Sequence, residues 1–132
     1  MSSYVSHYPT ADSMSTYAHF RAKLGFETDC SDVFACQQEN KVDFVLVDAR
    51  GASAFSAAHI PGPIKIPHRQ INQERMSKFA ADTFFVVYCA GPHCNGADQA
   101  SMKLAELGHK VKLMLGGITG WRDEGYALIK GG

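Results

Sequence analysis

The chain has 132 residues, which at the usual size of about 100 to 200 residues per domain is enough for one compact domain. Thirteen basic and thirteen acidic side chains give a formal net charge of zero, so the basic surface typical of nucleic-acid binders is not expected. With 45% hydrophobic and 20% charged residues, the composition is typical of a folded globular chain. We therefore predict one globular domain without a nucleic-acid partner.

No segment of the sequence is apolar enough to cross a membrane. The longest apolar run, residues 84–90, is far shorter than the roughly 20 residues that span a bilayer. The first ten residues have neither the basic start nor the apolar stretch of a secretory signal. We therefore expect a soluble, cytoplasmic protein with no membrane partner, whose four cysteines stay reduced.

The first predicted element is a helix over residues 13–24. Apolar side chains recur there at helical spacing, with Asp12 or Ser13 placed to cap the start and Gly25 to stop the helix. The pattern predicts an amphipathic helix, carried by an amino-terminal extension that covers residues 1–28. One alternative function for the protein is a scaffold that presents this helix to a partner.

Strand and helix patterns alternate in the rest of the chain, residues 29–132. The predicted strands cover residues 44–47, 64–66, 84–88 and 111–115. The predicted helices cover residues 32–38, capped by Asp29 or Ser31, and residues 52–58, 72–79, 97–107 and 118–124. This alternation predicts an α/β fold with a parallel sheet covered on both faces, and the strongly apolar segment 84–88 is expected at the sheet centre.

Cys89 follows the strongest predicted strand and begins a loop of seven further residues, Ala90-Gly91-Pro92-His93-Cys94-Asn95-Gly96, before a helix. In parallel sheets, functional groups gather beyond the carboxyl ends of the strands. Such a loop can point backbone N–H groups at the cysteine, and the helix adds partial positive charge, so both favour a nucleophilic thiolate. Taken alone, Cys89 fits a small buried core residue equally well.

Two further motifs flank this loop. Before it stand Val47-Asp48-Ala49-Arg50 and His59-Ile60-Pro61-Gly62, and after it stand Gly116-Gly117, Trp121 and Gly125. In this order, the motifs resemble those of the rhodanese-like domain family over about residues 32–126. The resemblance implies a three-layer α/β fold whose central parallel sheet has about five strands, with helices on both faces.

The resemblance also implies a function for Cys89. In that family the corresponding cysteine accepts a sulfane sulfur from a donor, holds it as a persulfide and passes it to a thiophilic acceptor. The expected donor is thiosulfate, a persulfide or a polysulfide, and the expected acceptor is a thiol or a cyanide-like molecule, with a protein sulfur acceptor as an alternative. This sulfurtransferase chemistry requires no metal and no organic cofactor.

The loop is expected to bind the substrate sulfur through its backbone amides. The candidate substrate-binding residues are Ala90, Gly91, His93, Cys94, Asn95 and Gly96. Family loops that handle thiosulfate carry an arginine or lysine, but His93 is the only basic residue between Cys89 and Lys103, and Pro92 lacks an amide hydrogen. We therefore expect weak activity with thiosulfate. His93 either points into water or helps to bind an anionic donor.

Cys94, five positions after Cys89, has two interpretations. It is either a loop residue packed at the helix start or a resolving thiol that attacks a persulfide or sulfenic acid on Cys89. The second interpretation predicts an alternative function, a non-enzymatic redox-responsive or sulfur-carrier module that regulates through both thiols. The sequence leaves these two interpretations open.

The remaining candidates are expected to support the structure. They are Asp48, Arg50, His59 and Trp121, and the cysteines Cys30 and Cys36. The cysteine spacing lacks the two closely spaced ligand pairs of a structural zinc site, so we expect no metal. Phosphatase chemistry is not expected, because Asn95 and Ala100, six positions after the loop cysteines, replace the arginine that clamps an oxyanion.

Overall fold

The structure, a computed structural model, describes residues 2–132. Its strands are β1 (Glu27–Asp29), β2 (Val45–Asp48), β3 (Ile64–Lys65), β4 (Phe84–Tyr88) and β5 (Lys110–Leu115). Its helices are α1 (Ser13–Phe26), α2 (Cys30–Gln38), α3 (Ala52–Ala57), α4 (Gln73–Met76), α5 (Gly96–Glu106) and α6 (Gly117–Asp123). A 3-10 turn covers His68–Gln70. The strands form one sheet in the order β1-β5-β4-β2-β3, and every pairing is parallel.

The predicted three-layer α/β fold is confirmed, and β4 is the central strand as expected. Alternate residues of β4 face opposite sides of the sheet, because the side-chain period of a strand is two. Phe85 and Val87 pack in a core that includes Leu104 of α5. Val86 and Tyr88 pack in a second core with residues of α2 and α6, including Trp121. Burial on both faces explains the continuous apolar run of this strand.

The amino-terminal helix predicted over residues 13–24 is present as α1, and its apolar side chains are not buried. Asp12 caps α1, since its carboxylate accepts a hydrogen bond from the Ser15 N–H at 2.9 Å. No residue of α1 is buried, and Met14, Tyr17 and Leu24 are 71%, 59% and 70% exposed. The helical spacing of the apolar residues therefore indicated a helix without indicating a buried face.

The end of α1 leads directly into the sheet. Gly25 does not stop the helix, which continues to Phe26 and leads without a connecting loop into the edge strand β1. β1 contains Glu27 and Thr28, the last two residues of the segment predicted as an extension. It pairs with β5 in a register that places Glu27 beside Leu113.

The other elements differ from the predictions mainly at their ends. α2 begins at Cys30, with Asp29 as the capping residue whose carboxylate accepts from the Asp32 N–H at 2.8 Å. α4 covers only Gln73–Met76 of the predicted segment 72–79. Among the helices that residues 2–132 form, none has the length and apolar character needed to cross a membrane.

Candidate active site

Cys89 lies directly after β4, at the carboxyl edge of the sheet, and is 6% exposed. Its carbonyl accepts a hydrogen bond from the Ile118 N–H at 3.1 Å, and the Ala90 carbonyl accepts one from the Thr119 N–H at 3.0 Å. The amino end of α6 therefore holds the start of the loop. This approach requires glycine at position 117, where φ is 56° and a Cβ atom would overlap the backbone of Cys89 and Ala90.

The loop then reverses direction in a tight turn. The Cys94 N–H donates to the Gly91 carbonyl at 3.0 Å, which places Pro92 at the second position of a β-turn, where its fixed φ is favourable. The Cys94 amide is therefore used within the turn rather than directed at a substrate. Pro92 costs this turn no hydrogen bond, because the turn needs no amide hydrogen at that position.

The two loop thiols meet at the start of α5. The sulfur atoms of Cys89 and Cys94 lie 2.9 Å apart, and both cysteines are free. A Cβ atom on Gly96 would lie 2.9 Å from the Cys89 sulfur and 3.6 Å from the Cys94 sulfur. Glycine at position 96 therefore leaves the space that this sulfur pair occupies.

The two thiols differ in acidity, because burial acts most strongly on Cys89 and hydrogen bonds act most strongly on Cys94. Burial, together with the hydrogen bond to Cys94, raises the pKa of Cys89 to about 11, although the Ala90 and Ala97 amides act in the opposite direction. The hydrogen bond from Cys89 and the Gly96 amide lower the pKa of Cys94. The two shifts act in opposite directions, so Cys94 is the thiol of the pair that ionises more readily. The amides of the loop favour a Cys89 thiolate, as expected, but burial acts in the opposite direction and is the largest influence on its pKa.

Both thiols line a cavity of about 660 Å³ at the carboxyl edge of the sheet. Its walls also contain Arg50, Lys65, His68 and Arg69. Three strand ends meet here, because Asp48 of β2 is in register with Tyr88 of β4 and with Lys65 of β3. The residues that follow each strand therefore face the same space.

The 3-10 turn is fixed against this cavity. The His68 N–H donates to the Ala49 carbonyl at 3.2 Å, and the Lys103 ammonium donates to the His68 carbonyl at 2.8 Å. Burial, with the nearby charges of Lys103 and Arg69, lowers the pKa of His68. Its Nδ1 is buried without a partner among the described residues. His68 is therefore a neutral imidazole in the wall of the cavity.

The predicted loop residues do not all face this cavity. Ala90, Cys94, Asn95 and Gly96 line it together with Cys89. Gly91 instead lines a smaller cleft on the opposite side of the loop. His93 is exposed, and its ring lies against Gly91; it does not line the cavity above but a separate open pocket, which it shares with Cys94 and Asp98.

Asp48 and Arg50 bind each other. The Arg50 Nε donates to Asp48 Oδ1 at 3.0 Å, and its Nη2 donates to Asp48 Oδ2 at 2.8 Å and to the Ala58 carbonyl at 2.6 Å. Asp48 is fully buried, so this two-pronged pair satisfies its charge. The Arg50 guanidinium therefore links the end of β2 to the residue that follows α3, and most of its hydrogen-bonding capacity is used in these contacts.

His59, Trp121 and the remaining cysteines lie away from the cavity. His59 Nδ1 shares a hydrogen bond with the Phe55 carbonyl at 2.9 Å, and the Trp121 Nε1 donates to the Ala127 carbonyl at 3.0 Å. Cys30 is buried beneath the start of α6, and burial raises its pKa to about 11. Cys36 is half-buried on α2. No group of three metal-ligating side chains occurs between residues 2 and 132.

The profile of the rhodanese-like domain family matches residues 34–124, the part of the chain that contains this site. The chain belongs to the rhodanese-like domain family. The solved structure of the BH2092 protein of Bacillus halodurans is 35% identical to it, covers 90% of this chain and 87% of its own, and superposes with a TM-score of 0.86.

Two other similar proteins differ from each other in function. An HTH-type transcriptional regulator of Mycobacterium tuberculosis is 33% identical over 89 residues, which are 67% of this chain but 39% of the regulator. The chain thus spans well under half the length of this curated relative. A thiosulfate sulfurtransferase of Pseudomonas aeruginosa is 22% identical over 85% of this chain and 21% of its own, with a TM-score of 0.70, and shares the fold.

Removal of the Cys94 thiol tests the coupling between the two sulfurs. In Cys94→Ala we expect the pKa of Cys89 to fall below its value of about 11 but to stay above that of an ordinary thiol, because the hydrogen bond is lost while the burial remains. The pH dependence of Cys89 alkylation by iodoacetamide measures this shift. Cys36→Ala is the matched control and leaves the profile unchanged. An unchanged profile in Cys94→Ala would show that the two thiols are not coupled.

Proposed function

We propose that the protein is a rhodanese-type sulfurtransferase in which Cys89 carries the transferred sulfur as a persulfide. The observation that supports this most strongly is the position of the Cys89 sulfur. It lies beside Gly96 at the start of α5, opens to a cavity large enough for a small donor, and lies 2.9 Å from a second thiol. Membership of the rhodanese-like family supports the same chemistry.

The raised pKa of Cys89 means that its thiol has to lose a proton before it can attack a donor, and the neighbouring Cys94 thiolate can accept that proton. The pKa of Cys94 is lowered, so Cys94 ionises more readily than Cys89. Transfer of the proton from Cys89 to Cys94 needs only a short movement along the sulfur–sulfur contact of 2.9 Å. Cys89 thereby becomes a thiolate when a donor is in place, without a separate base.

The sulfur then moves in two displacements. The Cys89 thiolate attacks the sulfane sulfur of the donor and forms a sulfur–sulfur bond with it. The bond between that sulfur and the remainder of the donor breaks, and the remainder leaves with the electron pair. A thiolate or cyanide-like acceptor next attacks the outer persulfide sulfur, and Cys89 leaves as a thiolate. The amides of Ala90 and Ala97, near the Cys89 sulfur, stabilise the negative charge in both steps.

Mass spectrometry tests this function directly. After incubation of the reduced protein with thiosulfate or with inorganic polysulfide, we expect one sulfur atom to be added, and peptide mapping to place it on Cys89. Cys89→Ser removes the addition, whereas the matched control Cys36→Ser keeps it. The proposal fails if neither donor adds sulfur to Cys89 in the folded wild-type protein, or if Cys89→Ser is loaded as well as the wild type.

A second candidate function is a redox-responsive regulatory module. The sulfur–sulfur distance of 2.9 Å favours it, because only a small movement is needed to reach the bond length of about 2.0 Å in a disulfide. A peroxide would oxidise the Cys94 thiolate to a sulfenic acid, and the Cys89 thiol would displace water to form the disulfide. That a relative is a transcriptional regulator is consistent with such a role.

Mild oxidation distinguishes the two candidates. With stoichiometric hydrogen peroxide we expect the regulatory module to form a Cys89–Cys94 disulfide, seen as the loss of two hydrogens in the intact mass and reversed by a reductant. Cys94→Ser should keep its intact mass under the same treatment, because Cys89 alone is buried and its pKa stays above that of an ordinary thiol. If wild-type protein gives sulfinic acid on Cys94 and no disulfide, the redox function is contradicted, and the sulfurtransferase proposal is unaffected.

A further inference from the structure

Cys94 is in direct contact with the sulfur atom that the proposed reaction uses. Its sulfur lies 2.9 Å from the Cys89 sulfur, and both thiols are free. The atom that it contacts becomes the inner sulfur when a persulfide forms on Cys89. A thiolate at this distance from one atom of a sulfur–sulfur bond is placed to attack it. Acceptance of a proton alone would not require a thiol at this position.

The loop leaves both sulfurs in one shared space. The Cys94 N–H donates to the Gly91 carbonyl at 3.0 Å, and this turn brings Cys94 back toward the end of β4. A Cβ atom on Gly96 would lie 2.9 Å from the Cys89 sulfur and 3.6 Å from the Cys94 sulfur. The sulfurs have to approach by only about 0.9 Å to reach the length of a disulfide bond.

The other two thiols are not placed for this reaction. Cys30 is buried beneath the start of α6, where its thiol donates to the Gly117 carbonyl at 3.6 Å. Cys36 lies on α2 and lines a different cavity. In the described part of the chain, Cys94 is therefore the one thiol that is placed to attack a sulfur carried by Cys89.

The two loop thiols also differ in the surfaces that they reach. Cys89 is buried and opens to the larger cavity. Cys94 is half-buried and also lines an open pocket on the outside of the loop, together with Pro92, His93 and Asp98. Cys89 does not line this open pocket. A thiol reagent in solution can therefore reach Cys94 from a side on which Cys89 is covered.

We propose that Cys94 resolves the persulfide on Cys89, so that the protein also reduces sulfane sulfur to hydrosulfide at the expense of a dithiol reductant. This inference rests on the proposed transfer of sulfur to Cys89 and gives that sulfur a second fate when no external acceptor is present. The Cys94 sulfur attacks the inner sulfur of the persulfide and forms the Cys89–Cys94 disulfide. The bond between the inner and outer sulfurs breaks, and its electron pair leaves on the outer sulfur.

The atoms and electrons of this step balance without another reagent. The proton that Cys94 accepted from Cys89 moves to the outer sulfur, which leaves as hydrosulfide. The sulfane sulfur is reduced, and the two thiols are oxidised to one disulfide. Attack by Cys94 on the outer sulfur would instead expel the Cys89 thiolate, a stronger base than hydrosulfide and therefore the poorer leaving group. Formation of the disulfide by this route requires a sulfane donor and no peroxide.

The disulfide has to be reduced before the next turnover, and the position of the sulfurs favours a reductant with two thiols. An external thiolate attacks the Cys94 sulfur from the open pocket and releases the Cys89 thiol. The released thiol stays beside Cys94, so it can attack the mixed disulfide and expel a monothiol again. A dithiol completes the reduction with its own second thiol, which acts within the same mixed disulfide.

A single-turnover experiment tests the resolving step. Reduced protein is loaded briefly with thiosulfate, separated from the donor by gel filtration and followed by intact mass with no acceptor present. We expect the gain of one sulfur to give way to the loss of two hydrogens, with one hydrosulfide released for each disulfide. Peptide mapping should place the disulfide between Cys89 and Cys94. The rate should not change with protein concentration, because the step is intramolecular.

Cys94→Ser tests the resolving thiol separately from the loading rate. We expect slower loading, because the proton acceptor is lost, but the persulfide that forms should last about tenfold longer than in the wild type and should be removed by added cyanide. Cys36→Ser is the matched control and should lose its persulfide at the wild-type rate.

Two results would overturn the inference and leave the proposed sulfur transfer intact. One is a wild-type persulfide that lasts as long as that of Cys94→Ser. The other is an added sulfur that peptide mapping finds on Cys94 instead of a disulfide. If no sulfur is added to Cys89 of the wild type at any time and no hydrosulfide is released, the proposed function fails together with this inference.

A second measurement tests the route of reduction. The disulfide form is treated with limiting 2-mercaptoethanol and quenched with iodoacetamide. We expect the mixed disulfide to map to Cys94 and the alkylated thiol to map to Cys89, and dithiothreitol to restore both thiols. A mixed disulfide on Cys89 would contradict reduction through the open pocket.

Discussion

The site depends on the close approach of three backbone segments around one sulfur atom. The end of β4 carries Cys89, the amino end of α6 binds the carbonyls of Cys89 and Ala90, and the start of α5 passes beside the Cys89 sulfur. Side chains at Gly96 or Gly117 would occupy the space that these segments share. Contact between backbones, rather than between side chains, therefore sets where the sulfur lies and which amides face it.

This close packing also sets the charge of the sulfur pair. Burial removes water from Cys89 and raises its pKa, whereas the hydrogen bond from Cys89 and the Gly96 amide lower the pKa of Cys94. The two sulfurs lie 2.9 Å apart, so the buried thiol is in direct contact with a more acidic one. Both thiols also line the cavity whose walls contain Arg50, Lys65 and Arg69. The surroundings of Cys89 thus come from the loop and from the neighbouring strand ends together.

Elements with a strong local pattern could be predicted from the sequence, and elements that depend on distant partners could not. β4 and α5 have continuous or periodic apolar residues, so both were found with the loop between them. β1 is short and partly polar and is defined only by its pairing with β5. Lys65 and Arg69 are far from Cys89 along the chain, and only the register of β3 with β2 brings them to the cavity. The loop motif predicted that backbone amides lie near the Cys89 sulfur. It did not predict the burial of Cys89, which is the largest influence on its pKa.

The most direct test of this account is the rate at which sulfur is loaded on Cys89 in Gly96→Ala. The backbone conformation at position 96 is one that alanine can adopt, but the added methyl group would lie 2.9 Å from the Cys89 sulfur. We therefore predict that loading falls about 10- to 100-fold while the circular dichroism spectrum is retained. Gly25→Ala, at a position with open space around it, is the matched control and keeps the wild-type rate. Loading of Gly96→Ala at the wild-type rate would contradict the claim that the space beside α5 holds the reacting sulfur.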